Sequence, residues 1–159
     1  MGRMMLKRCP NCDSTKLSRA TVRRVRHVAG HAFEAKLPAQ KCGACGESYF
    51  ADADVEAFDL LVAARLAGSG VTHAEALQFM RKATGLRSKE FAELLEVRPE
   101  TVSRWEQAKR PIDRATFAII HQLIQDRLHG STATADFLRS LHRPRRLPRQ
   151  VRLSVDDAA

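Results

Sequence analysis

The spacing of apolar side chains changes period along this chain, and each change marks a change of element. Between residues 13 and 41, "ATVRRVRHV" and "HAFEAKLP", the second of which alternates apolar with polar positions from Phe33 to Leu37, flank Ala29-Gly30, a pair suited to a tight turn. A β-hairpin is expected there. From residue 52 the period lengthens. "DADVEAFDLLVAARLAGSG" sets Val55, Phe58, Leu61, Val62 and Leu66 on one helical face and ends at residues 68–70, "GSG", which read as a linker. "VTHAEALQFMRKATG" follows with Ala76, Phe79, Met80 and Ala83 on one face and Leu77 at its edge. Thr72 and Glu75 have capping-box spacing, and Gly85 stands just past the last turn.

Shorter elements come next. Phe91, Ala92 and Leu95 define one short helix, Val97 a turn, and Val102 with Trp105 a second helix that Pro99 opens at its first position. Ala92 supplies the small residue needed where two short helices cross. This is the arrangement of a helix-turn-helix, whose second helix lies in the DNA major groove. Any helical hairpin uses the same apolar spacing; the polar residues left on the open side, and the "KRP" of residues 109–111, favour DNA. "DRATFAIIHQLIQDRL" begins with Asp113 as a cap and carries Ala115, Ile119, Ile120, Leu123 and Ile124, an apolar band wide enough to close a small helical core and to meet a second copy. "TADFLRSLHR" predicts one more short helix. "RPRRLPRQVRLSV" is broken by prolines and is expected to be a mostly disordered basic arm that either brushes phosphates or serves only solubility. The expected fold class is α+β: a small zinc-ribbon-like hairpin domain at residues 1–50, a connecting helix and linker at 51–70, an all-α helix-turn-helix domain at 71–130, and a short helix with basic tail at 131–159.

Charge sharpens the choice of partner. The chain carries 27 Lys+Arg against 18 Asp+Glu, a net +9. Residues 1–50 hold ten basic and three acidic side chains, and residues 51–130 are almost balanced. An anionic partner is expected. No run of eighteen apolar residues exists, so no membrane span is expected, and "MGRMMLKRCP" lacks the apolar stretch of a signal peptide. A cytoplasmic protein is expected.

The four cysteines, Cys9, Cys12, Cys42 and Cys45, form two Cys-x-x-Cys pairs, "CPNC" and "CGAC". Each such pair folds into a knuckle that aims both sulfurs at one ion, and Pro10 and Gly43 favour those turns. A thioredoxin-like redox pair or unpaired structural cysteines are the alternatives; two pairs favour tetrahedral zinc. Four thiolates leave no open coordination position, so one structural zinc ion per chain is expected. His27 and His31 are read as hairpin residues rather than ligands. No nucleophile–base constellation is visible, and an enzyme is not expected.

"GLRSKEFAELLEVRPETVSRWEQAKRP" resembles the Cro/cI-type (XRE) helix-turn-helix. Joined to the four-cysteine module, it resembles the MqsA/YgiT-type antitoxins over roughly residues 7–128. The resemblance implies a homodimer that binds a double-stranded operator and represses its own operon, with residues 1–68 able to engage a toxin. It places base-reading slots on Glu100 and Arg104, a slot at the start of the preceding helix on Ser88, and phosphate slots on Gln107, Lys109 and Arg114. Lys89, Pro99, Thr101, Ser103 and Arg110 belong to the same expected DNA face. Where such motifs commonly carry glycine this chain has Glu96 and Ala108, and where they carry a capping Ser or Thr it has Arg87. A lone regulator without a toxin, and a toxin-neutralising protein with weak DNA binding, are the other readings.

Overall fold

The alternating stretch forms the expected hairpin. In the computed structural model, which describes residues 6–154, strands β1 (Leu17–Val28) and β2 (His31–Cys42) pair antiparallel without interruption, from Leu17 opposite Cys42 to Val28 opposite His31. A short β3 (Ser48–Phe50) joins the other edge of β2. The tip is Ala29-Gly30, with φ of 49° and 79°, the two-residue connection whose twist matches that of the strands. Alternation then sorts the side chains. Val22, Val28, Phe33, Ala35, Leu37 and Ala39 occupy one sheet face, while Thr21, Arg23, His27, Glu34 and Lys36 occupy the open one.

Six helices follow among the described residues: α1 (Asp52–Gly68), α2 (Ala74–Ala83), α3 (Ser88–Leu94), α4 (Pro99–Glu106), α5 (Arg114–Leu128) and α6 (Ala133–Leu141). With the three-stranded sheet they make an α+β fold. Helix α1 packs on both α2 and α5, α3 and α2 pack on α4, and α6 closes over α5. Phe58, Val62, Ala63, Leu66 and Ala67 of α1 are buried in the same core as Met80, Phe91, Val102, Trp105, Ile120 and Ile124. Val28, at the hairpin tip, enters that core too. Beside it Arg26 makes two hydrogen bonds to the Asp59 carboxylate of α1, at 2.8 and 2.7 Å, and its guanidinium lies 5.9 Å from the ring centre of Phe79 in α2.

Several local expectations shift. Leu61 is 60% exposed, because the buried stripe of α1 runs through Phe58, Val62 and Leu66 at steps of four and leaves Leu61 beyond its edge. Ala115 is likewise exposed at the start of α5. Helix α2 is capped by His73, whose Nδ1 accepts from the Glu75 amide at 3.3 Å, rather than by a Thr72–Glu75 box. Asp113 caps α5 as expected, accepting from the Thr116 amide at 2.8 Å. Five helices stop in one way, with a left-handed residue after the C-cap: Gly70, Gly85 and Gly130, but Glu96 (φ 52°) and Ala108 (φ 56°) after α3 and α4. There Val97 donates to the Ala92 carbonyl at 3.0 Å and Lys109 to that of Arg104 at 2.9 Å, the six-to-one bond of a Schellman stop.

Candidate metal centre and nucleic-acid interface

The two Cys-x-x-Cys segments fold as near copies. Asp13 donates to the Cys9 carbonyl at 2.8 Å and Gly46 to that of Cys42 at 2.9 Å, and both donors have positive φ, 58° and 79°. Cys9 then donates to Ser14, and Cys42 to Glu47. A Gly43 to Lys16 bond of 2.8 Å ties one knuckle to the other. All four sulfurs consequently lie within 4.8 Å of one another, with Cys9–Cys45 and Cys12–Cys42 each 3.6 Å apart. A disulfide needs about 2.05 Å. A tetrahedron with ~2.3 Å metal–sulfur bonds has edges of about 3.8 Å, so the spacing fits one metal ion.

The electrostatics favour the same conclusion. The Tyr49 hydroxyl, 3.2 Å from the Cys9 sulfur, is the main cause that lowers the Cys9 thiol to about 6, and Tyr49 itself is raised to about 12 by that sulfur. The amides of Cys45 and Ala44 lower Cys42. At Cys12 the Ser14 amide pulls downward, but burial and the three neighbouring sulfurs outweigh it and hold the thiol at about 12. Four thiols this close cannot all ionise without a cation among them. His27 and His31 are exposed at the hairpin tip, about 35 Å along the strands from Cys42, and so play no part in the shell.

The arginines of the hairpin do not form one patch. Arg19 and Arg23 face outward, Arg23 paired with Glu34, whereas Arg24 lies over the Phe50 ring at 5.0 Å and Arg26 is held by Asp59.

At the other end of the molecule α3 and α4 cross with Phe91, Ala92, Val102 and Trp105 buried between them and the rest of the core. Glu100 and Arg104 are exposed on α4, with Thr101 and Ser103 half-buried beside them and Pro99 exposed at the first position. Ser88 and Lys89 begin α3. Gln107, Lys109 and Arg110 form an exposed turn, and Arg114 opens α5. The Gln107 amide donates to the Ser103 hydroxyl at 2.9 Å. Most acids of this region are matched: Glu90 with Arg87, Glu93 with Lys89, Glu106 with Arg81, and Glu96 with His142. Among the described residues, Arg98, Arg104, Lys109, Arg110 and Arg114 have no acidic partner.

Four residues escape a reading of the sequence. Arg98, the exposed N-cap of α4, adds a cation where the helix begins; its place directly before Pro99 was the available signal. Tyr49 follows the second knuckle, and nothing in its spacing announces the contact with Cys9. Arg81 and Glu106, only 9% and 10% exposed, join α2 to α4 through bonds of 2.6 and 3.1 Å, while Arg81 also donates to the Leu86 carbonyl at 2.9 Å. The sequence hint was Arg81 lying next to Met80, at the edge of the buried face of α2. The chain matches no protein-family model and no curated protein.

Proposed function

We propose that this protein is a sequence-specific DNA-binding repressor, homodimeric and cytoplasmic, with one structural zinc ion per chain on Cys9, Cys12, Cys42 and Cys45. The observation that carries the reading is the α3–α4 pair, whose apolar side is buried while α4 and the turn after it keep Arg98, Arg104, Lys109 and Arg110 exposed and unmatched by acids. A short helix bearing guanidinium groups on its free side suits the major groove, where the arginine fork matches guanine O6 and N7. The four-thiolate donor set, its sulfurs all within 4.8 Å of one another, supports zinc. The resemblance to MqsA/YgiT-type antitoxins extends the proposal: the cysteine-bearing end holds a toxin, and the protein represses the operon encoding both.

The test begins with a duplex selected from a random pool by the full chain. Arg104→Ala should cost about 1–3 kcal/mol on that operator and relax preference at one base pair per half-site. Lys109→Ala should weaken selected and random DNA alike. Equal losses on both DNAs for Arg104→Ala would remove it as the reader, and failure of the full chain to bind any duplex would end the DNA-binding reading.

A further inference from the structure

Helix α6 and the chain beyond it take no part in the sites described so far. Leu138 and Ala135 seat α6 against the core, and at its end His142 Nδ1 lies 2.9 Å from a carboxylate oxygen of Glu96. Glu96 is in the turn that delivers α4. The chain after residue 142 therefore leaves the body beside the candidate recognition helix. It then carries Arg143, Arg145, Arg146, Arg149 and Arg152, all exposed and without regular structure. None has an acidic partner among the described residues, and no acid occurs in the sequence between Asp136 and Asp156. Every cation of this stretch is an arginine. Pro144 and Pro148 fix φ and bar a helix, so the segment carries no regular structure and is free to extend in a groove.

We propose that residues 143–154 form a DNA-binding arm that enters the minor groove flanking the site occupied by α4. The proposal rests on the DNA-binding reading above. The minor groove, about 6 Å wide, is too narrow for a helix but admits an extended strand, and where it narrows over A·T tracts its negative potential favours inserted arginine. The reach is sufficient. Twelve residues at ~3.1 Å each span about 37 Å, and the adjacent minor groove lies about half a helical turn, roughly 17 Å, from the major-groove site. The arm buries none of its side chains in the free protein, so losing it leaves the fold intact.

The experiment compares three proteins on the selected operator, with A·T-rich or G·C-rich flanks, across a salt series: the full chain, the chain lacking residues 143–159, and a variant combining Arg143→Lys, Arg145→Lys, Arg146→Lys, Arg149→Lys and Arg152→Lys. The full chain should prefer A·T flanks. Removing the arm should weaken operator binding about tenfold or more, lower the slope of log affinity against log salt by about two or more, and abolish the flank preference. The lysine variant should keep the slope but lose the preference. The arm is overturned if the shortened chain binds with unchanged affinity and slope, if the full chain shows no flank preference, or if the lysine variant retains it. Binding that ignores the deletion removes the arm alone; no duplex binding by the full chain removes the arm and the DNA-binding reading together.

Discussion

The Tyr49 hydroxyl and the Cys9 sulfur share a hydrogen bond, and that single contact does much to set the character of the buried half of the thiol cluster. Tyr49→Phe keeps the ring and removes the hydroxyl. Partners of this kind around metal ligands are worth about 10–100-fold in affinity, so the variant, loaded with the proposed zinc, should surrender the metal to a colorimetric chelator at least about tenfold faster. Indistinguishable release curves would show the hydroxyl to be idle. Individual residues were unevenly legible in the sequence. Glu96 and Ala108 stood out because the resemblance puts glycine there, and both do adopt the left-handed conformation. Strain of this sort costs about 1 kcal/mol or more for each residue, and Asp13 in the first knuckle and Ala29 at the hairpin tip share it. The Tyr49 contact had no such signature, since a tyrosine in a short strand is ordinary and only the folded knuckle brings sulfur to it.

Elements were read best where one periodicity governed them. β2 and the helices of residues 52–141 follow from apolar spacing, whereas in β1 the valines stand three apart and Val25 faces outward, and Leu61 and Ala115 misled because a helical stripe drifts and neighbours decide which edge is covered. The Arg81–Glu106 pair is the joint between elements that spacing cannot reveal, because its partners are far apart in the chain. Glu106→Ala would leave a guanidinium buried without its counter-charge and should cost about 3–5 kcal/mol in chemical denaturation. A loss below about 1 kcal/mol would mean that water reaches Arg81 freely. The carboxylates at helix ends add a pH dependence. Glu90, bonded to the Arg87 side chain and amide, is lowered to about 2, and Asp113 and Asp126 are lowered by Thr116 and Thr134. A carboxylate depressed in the folded state stabilises above its unfolded value and loses that contribution as pH falls through the folded one. Thermal stability should therefore decline from about pH 5 towards pH 2, and Asp113→Asn should flatten part of that decline. A melting temperature independent of pH over this window would contradict the cap assignments.

For the whole molecule, the hairpin, through Val28, Phe33, Ala35 and Leu37, and one face of α1 pack into one core with the other helices. Charge and periodicity carry no information about which helix a hairpin leans on, so this joint appears only in the folded chain. The cysteines themselves stand outside that core. Stripping the metal with a chelator should accordingly open the knuckles to proteolysis while leaving helical circular dichroism and Trp105 fluorescence unchanged. Simultaneous loss of both signals would show that the metal supports the whole fold.

The hairpin is then an arm seated on the helices from Val28 and the Arg26–Asp59 bonds at its tip along Phe33, Ala35 and Leu37, with the cysteines beyond that seat. Its length is set by twelve residue pairs in unbroken register. Anything carried on the knuckles is therefore borne at a fixed distance and bearing from α4, and that distance is written in the number of pairs. Taking two pairs out of the strands would draw the load in by roughly 7 Å and keep each face where it is. Taking out one would turn the apolar face outward, so the gauge of this molecule is adjustable only in even steps.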